Sequence, residues 1–165
     1  LQGDGRAEFG VFVERVIDLL ARFASLAIPT IAAINGHAFA AGAMLALAHD
    51  YRIMRVDRGY FCLNEVDIGL PLHPGMQALV QARLGRTALR DAVLAGTRFG
   101  GADALAREIV DGAVPGNDVR AVALERATSL AAKDRATFAA LKTGLVGDLA
   151  RQMRAGLTRI NAPAS

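Results

Sequence analysis

Residues 30–55 read "TIAAINGHAFAAGAMLALAHDYRIMR", and the way this stretch folds decides the architecture. "TIAAIN" (30–35) is short, apolar and β-branched at its edges, which predicts a buried strand running into a turn at Asn35-Gly36. "GAMLALAHD" (42–50) carries helix formers and no breaker after Gly42, so it predicts a helix whose N-terminus points back at that turn. "YRIMR" (51–55) predicts a second strand.

A helix N-terminus entered through Gly and Ala alone has chemical meaning. The first N–H groups of a helix lack intrahelical acceptors and carry partial positive charge, and small side chains let a ligand oxygen come close to them. An oxyanion hole can be built this way from backbone alone. The same small residues also suit a tight packing of helix on strand, and the stretch by itself leaves both readings open.

Downstream, "GYFCLNEVDIGL" (59–70) begins as a short third strand at 59–63 and places Glu65 and Asp67 two residues apart, the spacing of opposite faces in an extended segment. Beside Phe61, Cys62, Leu63 and Val66, Glu65 is expected to be partly desolvated, which raises a carboxyl pKa and makes it a more competent proton carrier near neutrality. A buried acid is costly unless paired or functional. Arg52, Arg55 and Arg58 are near enough in sequence to supply the pairing, so that alternative stands beside catalysis.

Further out, apolar residues at Phe9, Val13, Val16, Leu20 and Phe23 predict one buried stripe on a helix over 7–26, ended by Pro29. After the loop "GLPLHPG" come helices at about 76–83 and 86–95, a short helix opened by Gly100-Gly101, and a strand in "IVDGAV" (109–114). From Asp118 to about Leu157 the pattern is helical, with breaks near Lys133-Asp134 and Gly144. The expectation is one α/β domain over 1–165, with core elements in 1–115 and a helical region in 116–165.

Composition limits the function classes. The chain has 165 residues, 53% hydrophobic and 21% charged, which is enough for a buried core and far from disorder. Net charge is +3, but the arginines are scattered without interleaved aromatics, which argues against nucleic acid as a partner. The lone cysteine, Cys62, excludes a disulfide framework and a thiolate metal cluster, reads as a small buried hydrophobe, and makes a reducing, cytoplasmic compartment the default. His37, His49 and His73 have no metal-ligand spacing, so no metal is expected. Neither a phosphate-binding Gly-rich loop nor a Gly-x-Ser-x-Gly elbow occurs. Residues 23–49 lack charge, yet Pro29, Asn35, Gly36, His37 and Gly42 interrupt them, so no membrane partner is expected. No signal peptide is visible, and because the chain opens on Leu1 rather than Met, an N-terminal part is expected to be missing.

Taken together, "PTIAAINGHAFAAGAMLALAHDYRIM", "GYFCLNEVDIGL" and "AGTRFGGADALAREIVDGAV" resemble the crotonase superfamily, the enoyl-CoA hydratase and isomerase family, over roughly residues 28–115. The resemblance implies a spiral of strand-strand-helix units whose first strands lie before Leu1, and C-terminal helices that assemble homotrimers or dimers of trimers. It implies an acyl-CoA thioester substrate, with coenzyme A as part of the substrate and no other cofactor. Its shared chemistry is an enolate held by backbone N–H groups, one of which falls here on Ala41, where many members have Gly, with Gly42 beside it. The second donor belongs to the missing segment. Family hydratases carry glutamates at the positions of Met44 and Glu65. Met44 moves no proton, whereas an isomerase needs one base, so the resemblance points to the Δ3,Δ2-enoyl-CoA isomerase branch with Glu65 as acid and base, in fatty acid β-oxidation. Met44, Leu70 and Lys142 are expected to contact substrate, Lys142 through a CoA phosphate. Asp67 is a secondary acid, and His37 and His49 are expected to be structural. The alternatives are a hydratase or thioester hydrolase using Asp67 or a residue of the missing segment, and a non-catalytic subunit of the same fold with Glu65 paired to arginine.

Overall fold

The computed structural model describes residues 4–157. The opening stretch folds as expected and with one addition. Strand β1 (Ile31–Ile34) leads through the Asn35-Gly36 turn into a very short strand β2 (Ala38–Phe39), then helix α2 (Ala41–Ala48), then strand β3 (Tyr51–Arg55). Strands β1 and β3 pair in parallel, Ile31 opposite Tyr51 and Ile34 opposite Met54. Parallel neighbours need a crossover, and α2 supplies it. Strand β2 is too short to announce itself by alternation. It pairs in parallel with β4 (Phe61–Cys62), Ala38 opposite Phe61, as a separate two-stranded sheet. The turn and β4 meet closely, since a Cβ on Gly59 would strike the Gly36 backbone.

Helix α1 (Asp4–Ala24) precedes β1, and α3 (Pro74–Arg83), α4 (Arg86–Ala95) and α5 (Gly101–Ala106) follow β4. Strand β5 (Gly112–Val114) then pairs with β3, completing a parallel sheet in the order β1-β3-β5, before α6 (Val119–Ala131) and α7 (Arg135–Arg154). Helix α6 covers β1 and β3, burying Val119 and Ala123 against Ile53. The larger core lies among α1, α2, α3 and α7, around Ile17, Leu47, Leu79 and Met153. This is an α/β molecule with parallel sheets and C-terminal helices, as the sequence implies. No helix of the described residues is long and apolar enough to cross a membrane.

Three local expectations are corrected. The buried face of α1 is Ile17, Leu20, Ala21 and Ala24, with Val13, Val16 and Phe23 half-buried and Phe9 exposed. The helix is rolled because its inner edge packs where α3 begins. Gly75 sits so near α1 and α7 that a Cβ there would strike Ile17 and the Met153 carbonyl. Helix α7 runs unbroken through Gly144, because burial of Val146, Leu149, Ala150 and Met153 outweighs the roughly 1 kcal/mol that glycine costs a helix. Finally, residues 65–69 are turns rather than a strand, with the Asp67 N–H donating to the Asn64 carbonyl at 3.1 Å and the Leu70 N–H to the Glu65 carbonyl at 2.9 Å.

Candidate active site

The site starts at the N-terminus of α2. Ala40 precedes it with φ 47° and ψ −119°, a conformation that favours glycine, and contributes no side-chain cap. The β2–β4 pairing holds it there, with the Ala40 N–H donating to the Cys62 carbonyl at 3.0 Å and the Ala38 N–H to the Tyr60 carbonyl at 2.9 Å. The N–H groups of Ala41 and Gly42 fall in the first turn, where a helix offers them no acceptor. Ala40 and Ala41 line a cavity of about 590 Å³, and Gly42 lies next to it in the chain with open space where a Cβ would stand.

Glu65 reaches the same cavity from the turn after β4. It is only 7% exposed, and its Oε2 is buried without a hydrogen-bond partner among the described residues. Burial pushes its carboxyl above the ordinary glutamate range. The arginine alternative fails, and two of its three candidates have other partners. The Arg52 guanidinium donates to the Ile109 carbonyl at 2.7 Å and pairs with Asp111 at 3.5 Å. Arg55 pairs with Asp57 at 2.5 Å, which holds the Asp57 carboxyl down at about 2. No ion pair to Glu65 forms among the described residues, Arg58 included.

Met44 is fully buried on α2 and lines this cavity as an apolar wall. Leu70 is partly exposed and lines it as well, together with a second cavity of about 770 Å³ that also includes Glu65. Lys142 does not join them. It is 5% exposed, its Nζ lies 2.6 Å from Asp50 Oδ2 and donates to the Ile28 carbonyl at 2.9 Å, and it lines a different cavity beside Arg83. Its charge is already compensated inside the fold, so the expected contact with a CoA phosphate is replaced by an ion pair.

Asp67 is exposed, and the turn rather than strand alternation separates it from Glu65. Cys62 is buried, its Sγ 3.3 Å from the Gly96 carbonyl, with burial pushing the thiol up, which leaves it unsuited to attack. His37 packs its ring near Phe39 and Tyr60. His49 holds Nδ1 2.7 Å from the Leu45 carbonyl, and burial lowers its pKa. His73, in contrast, caps α3 by accepting from the Gly75 N–H at 3.1 Å and lines the Glu65 cavity.

One acid escaped the sequence reading. Glu14 of α1 is 6% exposed and lines the same cavity as Glu65. Its signal is a matter of register, because stepping back from Ala24 through Ala21 and Ile17 by threes and fours lands on Glu14. The stripe drawn through Phe9 and Val13 passed it by.

Residues 2–161 match the family model described as enoyl-CoA hydratase/isomerase. Enoyl-CoA delta isomerase 3 of Arabidopsis thaliana is 41% identical over 140 residues, covering 82% of this chain and 59% of the relative. The same plant's peroxisomal enoyl-CoA delta isomerase 2 is 47% identical over 102 residues, 61% of this chain and 42% of the relative. The chain therefore spans about half the length of these curated relatives. Among solved structures, human mitochondrial delta3-delta2-enoyl-CoA isomerase superposes with a TM-score of 0.83 at 25% identity, covering 94% of this chain and 64% of that one. An enoyl-CoA hydratase/isomerase family protein from Pseudomonas syringae gives 0.87 at 28% identity, covering 94% and 67%. With its fold shared by these proteins and a family model matching nearly its whole length, the chain belongs to the enoyl-CoA hydratase/isomerase family.

Proposed function

We propose that the protein is an isomerase that moves the double bond of a 3-enoyl-CoA to the 2 position, as a step in fatty acid β-oxidation. The observation that carries this reading is the buried Glu65 carboxyl, its Oε2 without a hydrogen-bond partner among the described residues, in one cavity with Ala41, where Met44 contributes no proton chemistry. Ionised Glu65 takes a proton from the α-carbon, the electron pair moves into the thioester carbonyl, and the resulting dienolate oxygen faces the Ala41 N–H with Gly42 beside it. Glu65 then returns its proton to the γ-carbon, which leaves the double bond conjugated with the thioester. Raised by burial, the carboxyl binds and releases that proton more evenly than an exposed glutamate would. Relatives named enoyl-CoA delta isomerase support the assignment.

In the full-length protein, Glu65→Gln is expected to lower 3-hexenoyl-CoA isomerisation by about 10²–10⁴-fold, the usual share of general acid–base catalysis, with thioester affinity retained. Unchanged turnover would refute the assignment. Because Glu65 must be ionised to accept the first proton, kcat/KM is expected to rise with pH through a midpoint above the ordinary glutamate range.

A second reading has its own observation. Glu14 brings another carboxyl to the cavity, and two acids suit hydration of a 2-enoyl-CoA. Loss of the conjugated thioester absorbance on adding 2-hexenoyl-CoA would favour it.

The substrate supplies coenzyme A, and the reading calls for no further cofactor. Assembly is proposed to be a homotrimer or a dimer of trimers, supported by the exposed Leu141 and Leu145 on α7, the latter 83% exposed. Light scattering of the full-length protein is expected to give three or six times the chain mass, and a monomer would overturn this. A cytoplasmic location is proposed from the lone buried Cys62, although two relatives carry "peroxisomal" in their names, and imaging of a tagged full-length protein decides between the compartments.

A further inference from the structure

Away from Glu65, a cavity of about 520 Å³ is bordered by the end of α3, the start of β3 and one face of α7. Arg83, Asp50 and Lys142 line it together with the apolar side chains of Phe138, Leu141 and Val146. It shares no lining residue with either cavity around Glu65. Arg83 is its unusual member, because the Nε and Nη2 atoms are buried and have no hydrogen-bond partner among the described residues. These two atoms form one edge of the guanidinium, where parallel N–H bonds match the two oxygens of a carboxylate. The acids nearby are already engaged. Lys142 Nζ lies 2.6 Å from Asp50 Oδ2, and Arg52 Nη2 lies 3.5 Å from Asp111 Oδ2. Arg52, Arg83 and Lys142 thus set three positive charges against the two negative charges of Asp50 and Asp111, which leaves one positive charge over. Burial lowers the Arg83 pKa while Asp50 and Asp111 oppose the change, yet a guanidinium keeps its proton inside proteins and cannot shed its charge. A buried charge without a counterion is unfavourable, and an anion at the unpartnered edge relieves it.

We propose that this cavity is a binding site for a small organic monocarboxylate, whose carboxylate meets the Arg83 edge and whose apolar body packs on Phe138, Leu141 and Val146. The proposal stands independently of the role of Glu65. Charge selects the ligand, since one surplus positive charge suits a monoanion, whereas a phosphate dianion adds a second negative charge beside Asp50 in the same cavity. The walls select it as well. Phe138, Leu141 or Lys142, and Leu145 or Val146 follow one another at steps of three and four on α7, so one helix face offers hydrocarbon that a bare inorganic anion leaves uncovered. A volume of about 520 Å³ falls in the range that encloses small ligands.

The test is calorimetric titration of the full-length protein, at fixed ionic strength, with benzoate, with its uncharged counterpart benzamide, and with inorganic phosphate. Benzoate is expected to bind with a dissociation constant on the order of 1 mM, a modest efficiency for so small a ligand, and to raise the melting temperature as its concentration passes that value. Benzamide and phosphate are expected to bind at least about tenfold more weakly. Arg83→Leu removes the surplus charge, so it is expected to melt higher than the unaltered protein in benzoate-free buffer and to lose benzoate binding. Arg83→Lys keeps the charge without the parallel edge and is expected to weaken binding severalfold. Saturating hexanoyl-CoA is expected to leave benzoate affinity unchanged, and competition between the two would move benzoate to the Glu65 cavities and overturn the site. Absence of saturable benzoate binding, equal binding of benzamide or phosphate, or an Arg83→Leu variant that either melts lower or still binds benzoate overturns it too.

Discussion

At the scale of single residues, Glu65 and Ala40 are both held where their chemistry is unfavourable. Glu65 has a carboxyl pKa above its unfolded value, so ionising it costs folding stability. That cost is absent below the unfolded-state value, grows as pH rises through the raised native value, and is constant beyond it. Glu65→Gln is therefore expected to raise the melting temperature near pH 7 and to lose that gain in acid. Melting curves across pH check the sign. Ala40, at φ 47°, occupies backbone space in which a Cβ is strained. Ala40→Gly is expected to stabilise the fold by about 1 kcal/mol in denaturant unfolding. Both residues sit beside the cavity, where strain and an unpaired acid serve a site better than they serve stability.

At the scale of elements, the ion pair between Lys142 and Asp50 ties α7 to the loop that joins α2 to β3. Asp50 also accepts from the Thr30 N–H at 2.8 Å, just before β1, so one carboxylate gathers three segments. Removing one partner of a buried pair leaves the other charge uncompensated, and Lys142→Ala is expected to cost about 3–5 kcal/mol. With Lys142 away from both cavities around Glu65, kcat/KM measured well below the lowered melting temperature is expected to change little. A large rise in KM would return Lys142 to the substrate.

At the scale of the whole molecule, α1, α3 and α7 converge at Gly75. A Cβ there meets the Met153 carbonyl and Ile17, so Gly75→Ala is expected to destabilise by roughly 1–3 kcal/mol in thermal or denaturant unfolding. The same convergence explains how much of the molecule is legible in its sequence. Strands β1 and β3 and helices α2, α4 and α6 were each readable, because an apolar run between breakers is a local property. The roll of α1 was not, because which of its faces is buried depends on where α3 and α7 arrive. Glu14 was missed for that reason, and Gly144 looked like a break only while the burial of α7 was out of sight.

The sequence by itself determined the strand-turn-helix-strand order of residues 30–55 and the apolar surroundings of Glu65, since both follow from neighbours along the chain. Only the tertiary structure decided the rest. Arg52 and Arg55 lie near enough in sequence to neutralise Glu65, but long-range partners at Ile109 and Asp111 take the first, while Asp57 takes the second. Lys142 went to an aspartate 92 residues away. Glu65 came to share a cavity with Ala41 because β2 and β4, each two residues long, pair with each other. Which charges meet is settled by the folding of distant segments onto one another, and that information is not carried by spacing along the chain.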